Sequence, residues 1–186
     1  MSLTPAQLTA LRTAIDVNPT WAAYPLSLDG YFDLARRLNG LAVPNFWVWS
    51  TTADVGKVRA AVVWANLTPQ DVPDTTQQWA NRSLQCQGKQ FNLQMMIPFS
   101  GTIDGSDSTF RAGLQDALQG VRSGAAGAVQ DAGWAAVRNA LARRAKWCEM
   151  YLADSTNGTG ATRATAATMV FEGDVQPLDV ELARGL

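Results

Sequence analysis

AVQDAGWAAVRNALARRAKWCEMYL, residues 128–152, is the stretch whose reading decides the fold. Wound as a helix, it places Gly133, Val137, Leu141, Cys148 and Leu152 at spacings of four and seven, with Trp134 and Ala145 flanking them. Arg138, Asn139, Arg143, Lys146 and Met150 fall mainly on other faces. Its alanines lower the cost of helix formation, and Arg143, Arg144 and Lys146 stand toward the end where cations complement the helix dipole. One continuous helix here would run on the order of 35 Å, enough to span a domain of this size. Nothing in it is chemical, so it reads as a packing element.

Working outward, the same criteria predict further helices. Thr4-Pro5 supplies an N-cap and a first helical position for a stripe of Leu8, Leu11 and Ile15, which Asn18-Pro19 stops. Ser27 or Asp29 caps a short helix carrying Tyr31, Phe32, Leu34, Ala35 and Leu38, closed by Asn39-Gly40. Val55, Val58, Val62 and Ala65 have helical spacing, with Asp54 in the first turn. Asp74-Thr75-Thr76-Gln77 resembles a capping box for a helix reaching about Met96. That helix would set Ala80, Leu84, Phe91 and Met95 on its apolar face, with Gln87, Gln90 and Gln94 on the others. Phe110, Leu114, Ala117, Leu118 and Val121 define one more helix, and Pro177 opens a last short one.

Two runs read as strands: residues 46–51, with Trp47 and Trp49 on one face, and Thr168-Met169-Val170-Phe171-Glu172. They could pair with each other, or the second could extend a partner's sheet. Residues 154–167 lack large apolar side chains and read as a flexible loop. The expected fold is therefore mainly α: a bundle of five or six helices over residues 1–153, with a small β-hairpin or ribbon. After the loop, residues 168–186 would form an extended C-terminal docking segment.

Composition narrows the function. The chain has 186 residues, 47% hydrophobic and only 17% charged, with seven tryptophans and a net charge of −1. Such neutrality offers no general pull toward nucleic acid or anionic membrane. Most of the 15 basic residues are arginine, which suits fixed ion pairs and interfaces. The N-terminus lacks the basic and apolar regions of a signal peptide, and no apolar run approaches membrane-spanning length. A soluble chain made in the cytoplasm is expected, with Cys86 and Cys148 as buried free thiols.

The search for catalytic chemistry returns little. There is no histidine, which removes Ser-His-Asp and Cys-His arrangements and His-based zinc sites together. Gly88-Lys89-Gln90 and Gly158-Thr159-Gly160 lack the rest of a phosphate-binding loop or dinucleotide fingerprint. Asp104-Gly105-Ser106-Asp107 superficially suggests a calcium loop, but a turn followed by a helix N-cap explains it better. Scattered carboxylates, Asp16, Asp29 and Asp33 among them, leave a small carboxylate-dependent helical enzyme as one alternative. The basic cluster of Arg138, Arg143, Arg144 and Lys146 leaves nucleic-acid binding as another. No catalytic, cofactor-binding or metal-binding residue is assigned, and no cofactor is expected.

Several stretches together resemble a family of phage virion proteins. They are Trp64-Ala65-Asn66, then residues 87–94 (QGKQFNLQ), then residues 111–118 (RAGLQDAL). The alanine-rich segment ending Ala140-Leu141-Ala142-Arg143-Arg144-Ala145 continues the likeness, as do residues 168–173 (TMVFEG) with Asp179-Val180. The chain is similar, over nearly its whole length, to the head–tail connector or adaptor proteins of the neck of long-tailed bacteriophages. The resemblance implies a non-enzymatic structural protein that forms a homo-oligomeric, dodecameric ring between portal and tail. Its partners would be its own copies, the portal protein and the next neck or tail ring protein, with DNA passing through unbound and no membrane involved. Its place would be the virion neck, after assembly in the host cytoplasm. Inter-ring contacts are expected from Trp47 and Trp49 and, in the C-terminal segment, from Met169, Val170, Phe171, Leu178 and Val180. A tail completion or terminator protein of the same neck region is the nearest alternative.

Overall fold

Thr4 determines where the first helix begins. Its hydroxyl accepts from the Gln7 N–H while the Gln7 side chain accepts from the Thr4 N–H, and Pro5 follows at the first helical position. Ser27, Asp54 and Asp107 do the same work at three later starts, each side chain accepting from an amide two or three residues on. These choices are local, and the sequence announces them.

The computed structural model describes residues 3–67, 84–120, 122–123, 129–154 and 158–185. Within them the chain runs α1 (Pro5–Val17), α2 (Pro19–Ala22), α3 (Leu28–Leu38), β1 (Trp47–Trp49), β2 (Ala53–Asp54), α4 (Val55–Ala61) and α5 (Trp64–Leu67). It continues with α6 (Leu84–Met96), β3 (Thr102–Ile103), α7 (Ser108–Leu118), β4 (Arg122–Ser123), β5 (Val129–Gln130) and α8 (Trp134–Ala140). The last elements are β6 (Ala142–Arg144), α9 (Trp147–Tyr151), β7 (Ala153–Asp154), a 3-10 turn (Arg163–Thr165), β8 (Thr168–Met169) and α10 (Pro177–Gly185). The protein is mainly helical, with small two-stranded antiparallel sheets. Among the described residues the helices are shorter and more numerous than the five or six expected, and none is long and apolar enough to cross a membrane. The expected start at Asp74–Gln77 lies outside the described residues.

The long central helix does not form. Residues 128–152 were expected to wind continuously, but α8 stops at Ala140, the chain extends through β6, and α9 starts afresh at Trp147. The cause is non-local hydrogen bonding. The Leu141 carbonyl accepts from Ser50, Ala145 donates to Phe46 and accepts from Ala42, and Trp147 donates to Gly40. Backbone groups bonded sideways cannot also close a helical turn. Val137, Leu141 and Cys148 are nonetheless fully buried, so the pattern identified core residues while misplacing the path between them.

The chain divides into two compact units. Unit 1 comprises Met1–Val48 and Arg144–Leu186, and unit 2 comprises Trp49–Arg143. In unit 1, α10 packs against α1 and α3, and α9 packs against the same pair. Leu11, Ile15, Trp21, Leu34, Leu38, Cys148, Leu152 and Val180 form the core, each large aliphatic side chain contributing about 1.5–3 kcal/mol by leaving water. Trp21 meets Trp147 and Tyr151 edge-on, both at 5.2 Å between ring centroids. β7 pairs with β8, matching Ala153 to Met169 and Asp154 to Thr168. The first expected strand meets Ala167, the residue just before the second, through a single parallel bridge from Val48.

Polar groups stitch the distant parts of unit 1 together. Asn39, the C-cap of α3, accepts from the Val175 N–H at 2.9 Å and donates to the Val175 carbonyl at 3.0 Å, as a strand neighbour would. Buried Asp179 accepts from Leu3 at 3.3 Å and from Gln176 at 2.8 Å. Buried Glu149 accepts from Lys146 at 2.9 Å and Gly173 at 3.3 Å, while the Lys146 ammonium meets Asp174 at 2.8 Å. Of residues 168–186, expected as a separate docking segment, Val175, Val180 and Ala183 lie in the unit 1 core.

In unit 2, α6 packs on α7, α7 on α8, and α8 on α4. The buried face of α6 and its C-terminal turn is Gln90, Leu93 and Ile97, whereas Phe91 and Met95, expected to face inward, stand in water. The Gln90 amide donates to the Leu67 carbonyl. Asp131 caps α8 by accepting from Gly133 at 2.6 Å and Trp134 at 2.7 Å. Gly133 has φ +97°, and a Cβ there would lie 2.7 Å from the Ala61 carbonyl oxygen.

Two substitutions test this account. Asn39→Ala removes both bonds to Val175 and should lower unfolding free energy by about 2–3 kcal/mol, read from urea titration. Gly133→Ala forces a Cβ into left-handed backbone against a carbonyl and should cost at least about 1–3 kcal/mol in the same measurement.

Candidate functional site

The seven residues expected at an interface separate by burial. Trp49 and Val180 are buried and cannot meet a partner without unfolding. Met169 packs half-buried against Val48, Ala145 and Ala167, and Phe171 packs half-buried on the unit 1 core. Trp47 is also half-buried. Val170 and Leu178 are the exposed members, at 61% and 59%.

The two tryptophans are each covered by an arginine. In unit 1 the Arg163 guanidinium lies 4.4 Å from the Trp47 ring centroid. In unit 2 Arg111 lies 4.1 Å from Trp49 and donates to the Gly105 carbonyl at 2.6 Å. Burial draws the Arg111 pKa down, while Asp107 and Asp104 oppose that shift. Gly105 completes the arrangement by donating to the Ser50 carbonyl at 2.7 Å; a Cβ there would press on the Ser50 and Leu141 carbonyl oxygens at 2.9 Å. Both sites are structural clamps.

A different set of apolar side chains stands in water. In unit 2 Phe99 is 89% exposed, Met95 72% and Phe91 63%. In unit 1 Val17, Leu26, Leu28, Phe32 and Val43 are exposed, and Leu178 and Leu182 stand one turn apart on α10. The sequence carried one signal for this set: Phe99 is a large apolar residue in a turn-rich link, between Pro98 and Ser100. The signal for Phe91 and Met95 was ambiguous, because α6 carries apolar residues on two faces.

Unit 1 also holds a cleft of about 450 Å³ lined by Tyr24, Asp33, Arg36, Arg37, Gly40, Leu41, Val43 and Trp147. Of the three carboxylates named as candidates, only Asp33 lines it, paired with Arg36 at 3.1 Å; Asp16 pairs with Arg12 at 3.5 Å. The expected basic cluster is divided between the units, Arg138 and Arg143 in unit 2, Arg144 and Lys146 in unit 1. Arg144 donates to the Ala42 carbonyl at 3.1 Å, and Lys146 is committed to Asp174. Asp104 and Asp107 serve the turn and the α7 cap, accepting from Ser106 and from Thr109 and Phe110. Among the described residues no three His, Cys, Asp or Glu side chains form a metal-holding group.

Cys148 is a free, buried thiol. Burial, then the neighbouring Glu149 charge, push its pKa up to about 11, against weaker opposition from backbone hydrogen bonds and Lys146. It is a protonated packing group near neutral pH.

Comparison of the chain with protein-family models, with characterised proteins and with solved structures yields no significant match.

The thiol gives a pH prediction. Its folded pKa lies above the ordinary 9.0, so its contribution is fully present below about pH 9 and is lost as pH rises through 11. The Lys146 pKa is raised as well, first by its hydrogen bond to Asp174, and works in the same direction. Stability should fall by about 2–3 kcal/mol from the thiol between those limits. Site-resolved alkylation should leave Cys148 unmodified near neutrality and label it only on unfolding or at strongly alkaline pH.

Proposed function

We propose that this chain is a head–tail connector, or adaptor, of a long-tailed bacteriophage: a non-enzymatic virion protein whose copies form a ring between portal and tail. The observation that carries this is the number of large apolar side chains left in water in both units, led by Phe99, Val17, Met95 and Leu26 at 89%, 78%, 72% and 70% exposure. Single exposed apolar residues are ordinary, but sets of them on both units suit a protein that works inside an assembly. Low charge suits the same role, because a surface poor in ions costs little to desolvate between subunits. The resemblance of residues 64–66, 87–94, 111–118, 140–145, 168–173 and 179–180 to phage neck proteins supplies the identity of that assembly.

The mechanism is mechanical. Copies related by rotation meet through heterologous faces that close into a ring, which the resemblance puts at twelve subunits. The ring seats on the portal, presents a platform to the next neck or tail protein, and leaves a channel for DNA. With a net charge of −1 per copy it neutralises few phosphates, so DNA moves through without being held. Contact with a neighbouring ring falls to the exposed side chains of the C-terminal segment, Val170, Leu178 and Leu182, since Val180 is committed to the core.

Removing the C-terminal segment would also remove Val180 and Ala183 from the unit 1 core, so the test uses surface substitutions. Leu178→Asp with Leu182→Asp should leave the far-ultraviolet circular dichroism and urea midpoint unchanged while abolishing incorporation into particles. Cryo-electron microscopy of the wild-type particle should show the chain as a ring beneath the portal. Density on the tail side would transfer it to the completion-protein class, and absence from the particle would sink the proposal.

A further inference from the structure

We infer that the Phe91–Phe99 face of unit 2 docks on the exposed face of α3 in unit 1 of a second copy of this chain. This rests on the ring-forming function above and names the two faces that would meet. Because α6 and its C-terminal turn bury Gln90, Leu93 and Ile97, Phe91 and Met95 stand one turn apart in water, and Phe99 follows four residues on. The Arg59 guanidinium lies 5.1 Å from the Phe99 ring centroid and has no carboxylate partner among the described residues. On α3, Gly30, Leu34, Ala35 and Leu38 face inward. Leu28 and Phe32 are left 64% and 56% exposed, one turn apart, and neighbouring Asp29 makes no ion pair among the described residues.

Area and charge select the occupant. Counting Leu26, two residues before α3, each set exposes about 400 Å² of apolar side chain, taking roughly 200 Å² for a large residue. Together they would supply about 800 Å², the apolar part of an interface of roughly 1,400 Å², within the range of stable specific complexes. Arg59 gives the unit 2 face a cation and Asp29 gives the α3 face a carboxylate, so pairing one face with the other brings opposite charges together. A contact of that kind leaves one free face at each end of every dimer, so it propagates from copy to copy until rotation closes it.

Two exposed positions provide a discriminating test in the full chain, by sedimentation velocity over a concentration series. Wild-type protein should associate beyond the dimer. Phe99→Asp and Phe32→Asp should each weaken self-association at least about 30-fold, with unchanged circular dichroism. Mixed in equal amounts, the two variants have one intact pair of faces and should form a 1:1 dimer that grows no further. As a second readout, Arg59→Asp and Asp29→Arg should each weaken association and together restore it. If Phe32→Asp alone still dimerises at wild-type strength, the unit 2 faces pair with themselves and the inference is overturned. Wild-type protein that stays monomeric at every concentration also overturns it. Either failure leaves the connector function to be judged on its own measurement, the location of the chain in the particle.

Discussion

The backbone of residues 141–147 is hydrogen-bonded to residues 40–50, and much else depends on that commitment. A helix satisfies its amide groups internally; here Leu141, Ala145 and Trp147 bond to Ser50, to Phe46 and Ala42, and to Gly40. Good helix formers are thereby held extended, since fractions of a kcal/mol of propensity per residue cannot outweigh several hydrogen bonds made elsewhere. The chain crosses from unit 1 to unit 2 between Val48 and Trp49 and returns between Arg143 and Arg144, within these same two segments. Gly105 fits the same constraint in unit 2, because only a residue without a Cβ can approach the carbonyls of Ser50 and Leu141 so closely.

What was legible in the sequence follows from the range of the interaction involved. Thr4 with Gln7, Ser27, Asp54 and Asp107 act on amides two or three residues away; Thr4 marked its helix start, Ser27 was one of two cap candidates, and Asp54, expected within the first turn, is the cap itself. The buried identities of Leu11, Ile15, Leu34, Leu38, Val58, Leu114 and Val137 were also readable, because burial follows apolar character more than path. The break in residues 128–152 was not readable, because its partners lie about a hundred residues upstream. Nor was the direction α6 faces. Phe91 and Met95 are apolar as Leu93 and Ile97 are, and a buried Gln90, bonded to the Leu67 carbonyl, lies on the face that is in fact covered.

The interface residues divide along the same line. Leu178 and Val170, expected at an interface, stand exposed, whereas Val180, two positions from Leu178, turns to the opposite side of α10 and fills the core. Trp49 was chosen for its size and its strand, but an arginine and a buried environment claim it. Phe99 could have been found by asking why a turn should carry a phenylalanine, a question about cost in water that needs no knowledge of the fold.

The interleaving of unit 1 has a consequence for how the protein is made. Residues 1–48 emerge before unit 2, yet Val175, α10 and the Asp179 carboxylate that holds the Leu3 amide emerge only after it. Unit 2 is contiguous and can close in between. At about 5–20 residues per second, α1 and α3 wait on the order of 7–30 s for α10. Their apolar stripes are open during that interval to whatever is nearby, including nascent copies on neighbouring ribosomes. Late closure of an early segment thus leaves unit 1, built from segments on either side of unit 2, open for longer than the contiguous unit 2.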